Sequence, residues 1–175
     1  MRFPDNRNEL RVVLAVITAG ALILVRVSIP LPDDIDAVRL IFWTAVTLGA
    51  ASLSVRLPAG VVANITTAPI LAAVFDPVMA NPFAACWVAL LGTIEVRDLR
   101  REIPWYGSLY NKFSNVIAAF AASLALIAMR PAFGHEDPLG TTTVILIVGL
   151  VFITTNVFLA VVAVSARTRA PITRI

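Results

Sequence analysis

The placement of the basic residues along the chain is the feature that most constrains its fold. Charged residues divide the sequence into six long apolar stretches, and Lys and Arg are concentrated in every second charged segment. The odd-numbered segments carry eleven basic residues and the even-numbered ones carry three. In multi-span membrane proteins the cytoplasmic loops are the ones enriched in Lys and Arg. The pattern therefore predicts an all-α polytopic bundle of six transmembrane helices with both termini in the cytoplasm.

Composition supports a membrane location. The chain is 59% hydrophobic and 14% charged, whereas soluble domains carry about 25% charged residues. A helix needs roughly 20 residues to cross the bilayer, so six helices use most of the 175 residues and leave one domain. The predicted spans are residues 10–29, 38–53, 61–75, 79–94, 109–129 and 143–165. We interpret the first as a retained helix of the bacterial inner membrane, because no small-residue cleavage site follows it.

Charge and residue inventory exclude several other functions. The net charge of +3 comes from residues that flank the apolar stretches, where they hold the anionic cytoplasmic leaflet, so we predict no nucleic-acid partner. His135 and Cys86 are the only histidine and cysteine, and no catalytic triad or phosphate-binding loop is recognisable. We therefore predict no enzyme, no catalytic residue, no metal site and no cofactor. His135 lies beside two acidic residues, which favours solvated surface over weak metal binding or pH sensing.

Uncharged polar residues inside the spans are the candidates for ligand binding. An amide in hydrocarbon must find a hydrogen-bonding partner, and residues four apart, such as Asn111 and Asn115, share one helix face. One interpretation is structural, with interhelical hydrogen bonds that hold the bundle together. The other is a polar pocket between helices that binds a small solute. The candidate residues for such a pocket are Asn64, Thr67, Asn111, Asn115 and Asn156.

Small residues recur at the four-residue spacing that lets helices approach closely. Ala45 and Gly49, Ala85 and Ala89, and Ala118 and Ala122 are examples. In lipid, such pairs favour close helix packing.

The run of charged residues from 95 to 102 is the candidate surface for coupling to a partner. No helix breaker occurs before Pro104, so the sequence predicts that the fourth span continues as a helix through residue 102. Glu95 is expected to pair with Lys112 across the cytoplasmic rim. The run serves either as a topology anchor or as a docking surface, and the candidate coupling residues are Glu95, Arg97, Arg100 and Arg101.

Several segments together resemble a known family. They are Val55–Gly60 with the sequence VRLPAG, the Thr-rich segment Asn64–Pro69, the charged run Glu95–Glu102, and Trp105 with the segment Tyr110–Asn115 before an Ala-rich helix. In this order they resemble the multi-helix N-terminal membrane region of bacterial HD-GYP and GGDEF signalling proteins, over about residues 40–165. The resemblance implies a sensory or regulatory domain whose partner is a cytoplasmic output domain. It implies no catalytic residue here, because catalysis in that family belongs to the output domain.

A second resemblance rests on size and topology alone. Six spans in fewer than 200 residues with both ends inside also resemble the substrate-binding membrane component of energy-coupling-factor vitamin transporters. That resemblance implies uptake of a small solute with membrane and ATPase subunits as partners. The sequence leaves open which of the two applies, and whether the chain forms a homo-oligomer.

Overall fold

A computed structural model gives the fold of the chain. It describes residues 7–28, 36–53, 55–56, 62–63, 65–79, 81–95, 98, 100, 102–129 and 138–168. The elements in chain order are α1 (Arg7–Ser28), α2 (Ala37–Ser52), β1 (Val55–Arg56), β2 (Val62–Ala63), α3 (Thr67–Phe75), α4 (Ala85–Gly92), α5 (Trp105–Met129) and α6 (Pro138–Thr168). Single 3₁₀ turns at Pro77–Met79 and Pro82–Ala84 connect α3 to α4.

Three of these helices, α1, α5 and α6, are long and apolar enough to cross a membrane. They contain 22, 25 and 31 residues, against the roughly 20 that a crossing needs. Their outward faces carry large apolar side chains, such as Leu146, which is 67% exposed, and Phe158, which is 61% exposed. The predicted all-helical class is thus confirmed, and three helices suit a membrane crossing, while the six-span topology and the cytoplasmic termini stay predictions.

The third and fourth predicted spans differ most from the structure. The span predicted over residues 61–75 becomes helical only at Thr67, and the one predicted over 79–94 is a regular α-helix only over Ala85–Gly92. With nine and eight residues, α3 and α4 are roughly 12–14 Å long at 1.5 Å per residue. These lengths are well short of the roughly 20 residues that a crossing needs. Both helices lie in the interior of the bundle, where Ile70, Ala73 and Val88 are completely buried. The hydropathy of these two stretches correctly indicated that they are buried, but it did not indicate how many of their residues are helical.

A short β-ladder precedes α3. Val55 pairs with Ala63 and Arg56 with Val62, in antiparallel register. From the sequence we expect a tight turn at residues 56–60, of which 57–60 lie outside the described residues; the ladder joins the segments on either side. Residues 62 and 63 are therefore strand rather than the start of a helix, because a ladder satisfies their backbone hydrogen bonds with β1.

The predicted continuation of the fourth span through residue 102 is wrong. Helix α4 ends at Gly92, and Thr93, Ile94 and Glu95 lie outside it. Glycine and the β-branched residues that follow it are weak helix formers. Asp98, beyond this break, is helical again, and its carboxylate accepts a hydrogen bond from the Glu95 amide at 3.2 Å.

The hub of the bundle is α5, which packs against α1, α3, α4 and α6, while α2 packs against α3 and α4. The Ala-rich faces of α4 and α5 meet in the core, where Ala85, Ala89, Ala118 and Ala122 are fully buried. This confirms close packing for two of the predicted small-residue pairs. The third differs, because Ala45 and Gly49 are exposed on α2.

A buried carboxylate fastens the turn after α3 to the first half of α2. The indole Nε1 of Trp43 donates to the Asp76 Oδ2 at 2.6 Å. The Arg39 guanidinium lies 3.9 Å from the same oxygen, and the Asp76 side chain is only 6% exposed. The contact fixes the position of the α3–α4 connection.

Candidate functional site: a polar cavity between the helices

A cavity of about 410 Å³ lies between the start of α3, the segment after α4, and facing stretches of α5 and α6. It lies toward the ends of α5 and α6 that the charge pattern assigns to the cytoplasmic side. Small and polar side chains form most of its wall: Thr66, Thr67, Glu95, Tyr110, Asn111, Ser114, Asn115, Asn156, Ala160, Ala163 and Val164. Polar side chains converging on one cavity within an apolar bundle are the usual composition of a small-molecule site.

Two asparagines join α5 and α6 at the cavity wall. The Asn156 Nδ2 donates to the Asn115 Oδ1 at 2.7 Å. Both side chains are half-buried and line the cavity. One hydrogen bond uses only part of the capacity of two amides, since each amide has two N–H donors and a carbonyl with two lone pairs. The pair therefore joins α5 to α6 by an interhelical hydrogen bond and also leaves amide groups that are not used in that bond.

A serine and a tyrosine add two hydroxyls next to this pair. The Tyr110 phenol donates to the Leu159 carbonyl of α6, which ties α5 to α6 a second time. The Ser114 side chain is buried, and its hydroxyl completes no well-aligned hydrogen bond with any described residue, although the Tyr110 phenol is its polar neighbour. A buried hydroxyl without a good partner is costly in a folded protein, and because the Ser114 oxygen is itself inaccessible, other atoms of this residue line the cavity.

Glu95 is the one charged side chain among the described residues of the wall. Beside it, the Lys112 ammonium lies 3.2 Å from the Asp98 carboxylate and donates to the Ser108 hydroxyl at 3.0 Å. The predicted pairing of Lys112 with Glu95 is thus replaced by a pairing with Asp98, because the turn after α4 carries Asp98 toward α5. The wall therefore has an acidic character, while the nearby lysine is held by Asp98.

The environment of Asp98 favours its charged form. Partial burial raises the pKa of this carboxyl group. However, hydrogen bonds from the Glu95 amide, the Ser108 hydroxyl and the Lys112 ammonium, together with the lysine charge, hold the pKa of Asp98 below its ordinary value. Asp98 and Lys112 consequently form a charged clamp between the segment after α4 and the first turns of α5.

A second cavity of about 280 Å³ adjoins the first toward the same end of the bundle. It lies between the start of α1, the segment before α5 and the end of α6, and Glu9 and Arg167 are among its lining residues. Tyr110, Asn111, Ala163 and Val164 line both cavities. The two spaces are therefore neighbours, with Tyr110 and Asn111 on α5 between them.

The structure brings four of the five candidate ligand-binding residues into one cavity wall, namely Thr67, Asn111, Asn115 and Asn156. Asn64 lies outside the described residues. Thr66, Tyr110 and Ser114 also line the cavity but are not among the residues predicted from the sequence. The last two had a readable signal, because Tyr110 and Ser114 are four apart and adjoin the Asn111–Asn115 face on the same helix. Binding itself stays a prediction.

The candidate coupling residues separate in space. Glu95 lines the cavity, whereas Arg100 is exposed. Arg97, Arg101 and His135 lie outside the described residues. Among the described residues, no group of three or more His, Cys, Asp or Glu side chains is arranged to hold a metal ion.

Comparison with known proteins adds no assignment. No protein family, no curated protein and no solved structure matches this chain. The class that the fold defines is a helical bundle with three helices long and apolar enough to cross a membrane and a polar cavity between its helices.

Proposed function

We propose that this chain is the membrane-embedded sensory domain of a bacterial signalling system, which binds a small polar solute and passes its occupancy to cytoplasmic output machinery. The observation that carries the proposal is the polar cavity formed by α3, α5, α6 and the segment after α4. Polar side chains within a membrane bundle are costly, so their convergence on a space of ligand size favours binding over packing alone.

Helix α6 is the proposed path of the signal. Asn156 lies at the cavity, and the helix continues without interruption to Thr168, twelve residues or about 18 Å further along. Arg167 in its last turn lines the second cavity together with residues of α1 and α5. A solute bound to the Asn115 and Asn156 amides would alter the contact of α6 with α5. It would thereby move the end of α6 relative to α1.

The proposal includes the six-span topology in the inner membrane. In it, α2 and the paired segments around α3 and α4 supply the three crossings beyond those of α1, α5 and α6. The short helices need no contact with lipid along their whole length, since non-helical backbone at membrane depth is tolerated where protein or a cavity surrounds it. Both termini, and the mouth of the second cavity, then face the cytoplasm.

The test measures motion at the end of α6. Spin labels are attached to cysteines introduced by Arg11→Cys and Arg167→Cys in a Cys86→Ala background, with the protein in lipid nanodiscs. Solutes are first chosen by thermal stabilisation of the unlabelled protein from a panel of neutral, cationic and anionic compounds. A bound solute is expected to shift the distance distribution between the labels in wild-type cavities and not in the Asn115→Leu variant. A bound solute that leaves the distribution unchanged would contradict the sensory proposal.

A solute-uptake component is the second candidate, and one observation favours it. Short helices and non-helical backbone border the cavity at Thr66 and Glu95, as in transporters whose broken helices form the substrate site near the membrane midplane. In this case cells that express the chain with its membrane and ATPase partners accumulate the labelled solute, and α6 does not need to move.

Arg100→Gln tests whether the exposed Arg100 side chain contacts a partner. We expect impaired output or uptake if Arg100 contacts the partner, and unchanged activity if it only anchors the topology.

A further inference from the structure

The Asn115–Asn156 pair has a property that does not depend on how each amide is oriented. In a hydrogen bond between two amides, one contributes an N–H and the other a carbonyl. The first amide then retains its carbonyl, and the second retains its N–H groups. If both amides were turned around, the roles would exchange but the pair would still offer one carbonyl and one N–H donor group. At 2.7 Å from nitrogen to oxygen, the two amides are in direct contact, and both residues line the cavity.

A matching ligand carries the complementary edge. An N–H next to a carbonyl, as in a lactam or a cyclic ureide, donates to the free amide carbonyl and accepts from the free amide N–H. Such an edge satisfies both amides at once, and an analogue that lacks the edge leaves them unpaired.

The charge of the wall sets a second condition. Glu95 is its one charged side chain, and no Lys or Arg is among the described residues that line this cavity. The nearest described lysine, Lys112, is held by Asp98 and Ser108. An anionic solute would therefore meet the Glu95 carboxylate and no Lys or Arg among the described lining residues. A neutral ring compound avoids this repulsion. The cavity volume of about 410 Å³ is within the range of small-molecule sites.

We infer that the cavity binds a small uncharged heterocycle with adjacent N–H and carbonyl groups, of the lactam or cyclic ureide class, through the Asn115–Asn156 pair. This inference rests on the proposed solute-binding function and specifies its ligand class. The remaining lining hydroxyls, on Thr66 and Thr67, surround the ring.

The test uses the full chain in nanodiscs and three related probes, with binding measured by calorimetry. Uracil carries the N–H and carbonyl edge, 1,3-dimethyluracil keeps the ring but lacks the N–H groups, and orotate adds a carboxylate. Uracil, or the cyclic ureide hydantoin, is expected to bind. Each of the other two is expected to bind about tenfold or more weakly, because one loses a hydrogen bond and the other buries an anion.

Variants locate the binding in the cavity. Asn115→Leu and Asn156→Leu are each expected to weaken uracil or hydantoin binding by about tenfold or more. The matched control is Thr154→Val on the exposed face of α6, where the hydroxyl bonds only to carbonyls of its own helix, and binding should change less than about twofold. The comparison of probes on the unmodified protein keeps the test decisive even if an asparagine variant does not fold.

Three results would overturn the inference: equal binding of uracil and dimethyluracil, preferred binding of orotate, or binding that is unaffected by both asparagine variants. If no lactam or ureide binds but an acyclic or cationic solute stabilises the protein, the ligand class is wrong and the solute-binding function stands. If no solute of any class binds, both proposals fail.

Discussion

Gly92 lies where α2 and α4 approach most closely, and its replacement by alanine is the sharpest test of the packing. A Cβ atom at this position would lie 2.5 Å from the Thr47 Cβ and 2.7 Å from the Thr47 Cγ2. Thr47 is completely buried, and its hydroxyl bonds to the Trp43 carbonyl at 2.7 Å. The clash is therefore with the base of a fixed side chain, and one of the helices must move to relieve it.

The expected cost follows from overpacking, which typically destabilises a core by about 1–3 kcal/mol. Gly49→Ala is the matched control, because nothing lies within 4 Å of a Cβ atom at Gly49. Without a clash, alanine stabilises a helix by about 0.5–1 kcal/mol relative to glycine. The two substitutions, which add the same methyl group, should thus differ in unfolding free energy by about 1.5–4 kcal/mol, with opposite signs.

The assay is reversible unfolding by SDS in lipid bicelles, which gives the unfolding free energy of each variant. Thr47→Gly removes the Cβ atom that Gly92→Ala would meet, so the double variant should be less destabilised than the sum of the single variants. Equal stability of Gly92→Ala and Gly49→Ala, or strict additivity with Thr47→Gly, would refute the close approach of α2 and α4 at this point.

Three further predictions concern the charged clamp, the buried carboxylate and the topology. Asp98→Asn should lower stability at neutral pH. Because folding depresses the pKa of Asp98, its contribution is present above the ordinary carboxyl pKa of about 3.9 and is lost as pH falls through the folded-state pKa, so the difference from wild type should vanish in acid. In a Lys112→Met background the difference at neutral pH should shrink but persist, because the Glu95 amide and the Ser108 hydroxyl also favour the charged carboxylate. Trp43→Phe removes the indole donor to Asp76 and should destabilise by about 1–3 kcal/mol in the bicelle assay, whereas no change would show that the indole bond contributes nothing. A reporter fused at the C-terminus should indicate cytoplasm and one inserted in residues 130–137 the outside, and a C-terminus outside would reject the six-span topology.

The long helices were predictable because hydropathy and charge report what lipid requires. Helix α5 begins at Trp105, four residues before the predicted start, because the Pro104 carbonyl accepts hydrogen bonds from the Gly107 and Ser108 amides and opens the first turn. Helix α6 extends beyond both predicted ends, to Pro138 and Thr168. Threonine-rich and charged ends reduce local hydropathy, but they do not stop a helix that contains no breaker.

The interior segments were not predictable in the same way. A stretch such as residues 61–75 has the apolar content of a span whether it is helical throughout or helical only from Thr67, since hydropathy measures burial and not backbone hydrogen bonding. The turn after Gly92 depends on Asp98, and the position of Asp98 depends in turn on Lys112 of another helix. Contacts of this kind arise only after α4 and α5 have packed.

The non-helical segments lie beside the cavity, and each is favoured by the presence of the other. The chain is non-helical just before α3, at Thr66, and again after α4, at Glu95, and both residues line the cavity. Backbone polar groups at membrane depth need a partner within the protein or a polar space beside them, so irregular backbone is stable where a polar cavity adjoins it. The sequence identified the face that Asn111 and Asn115 share, because that face lies within one helix. Its meeting with Asn156, 41 residues further along the chain than Asn115, depends on the register of α5 against α6. That register is set by packing across the whole bundle. The sequence of each helix therefore predicted residues of the site, but it could not predict the cavity between the helices.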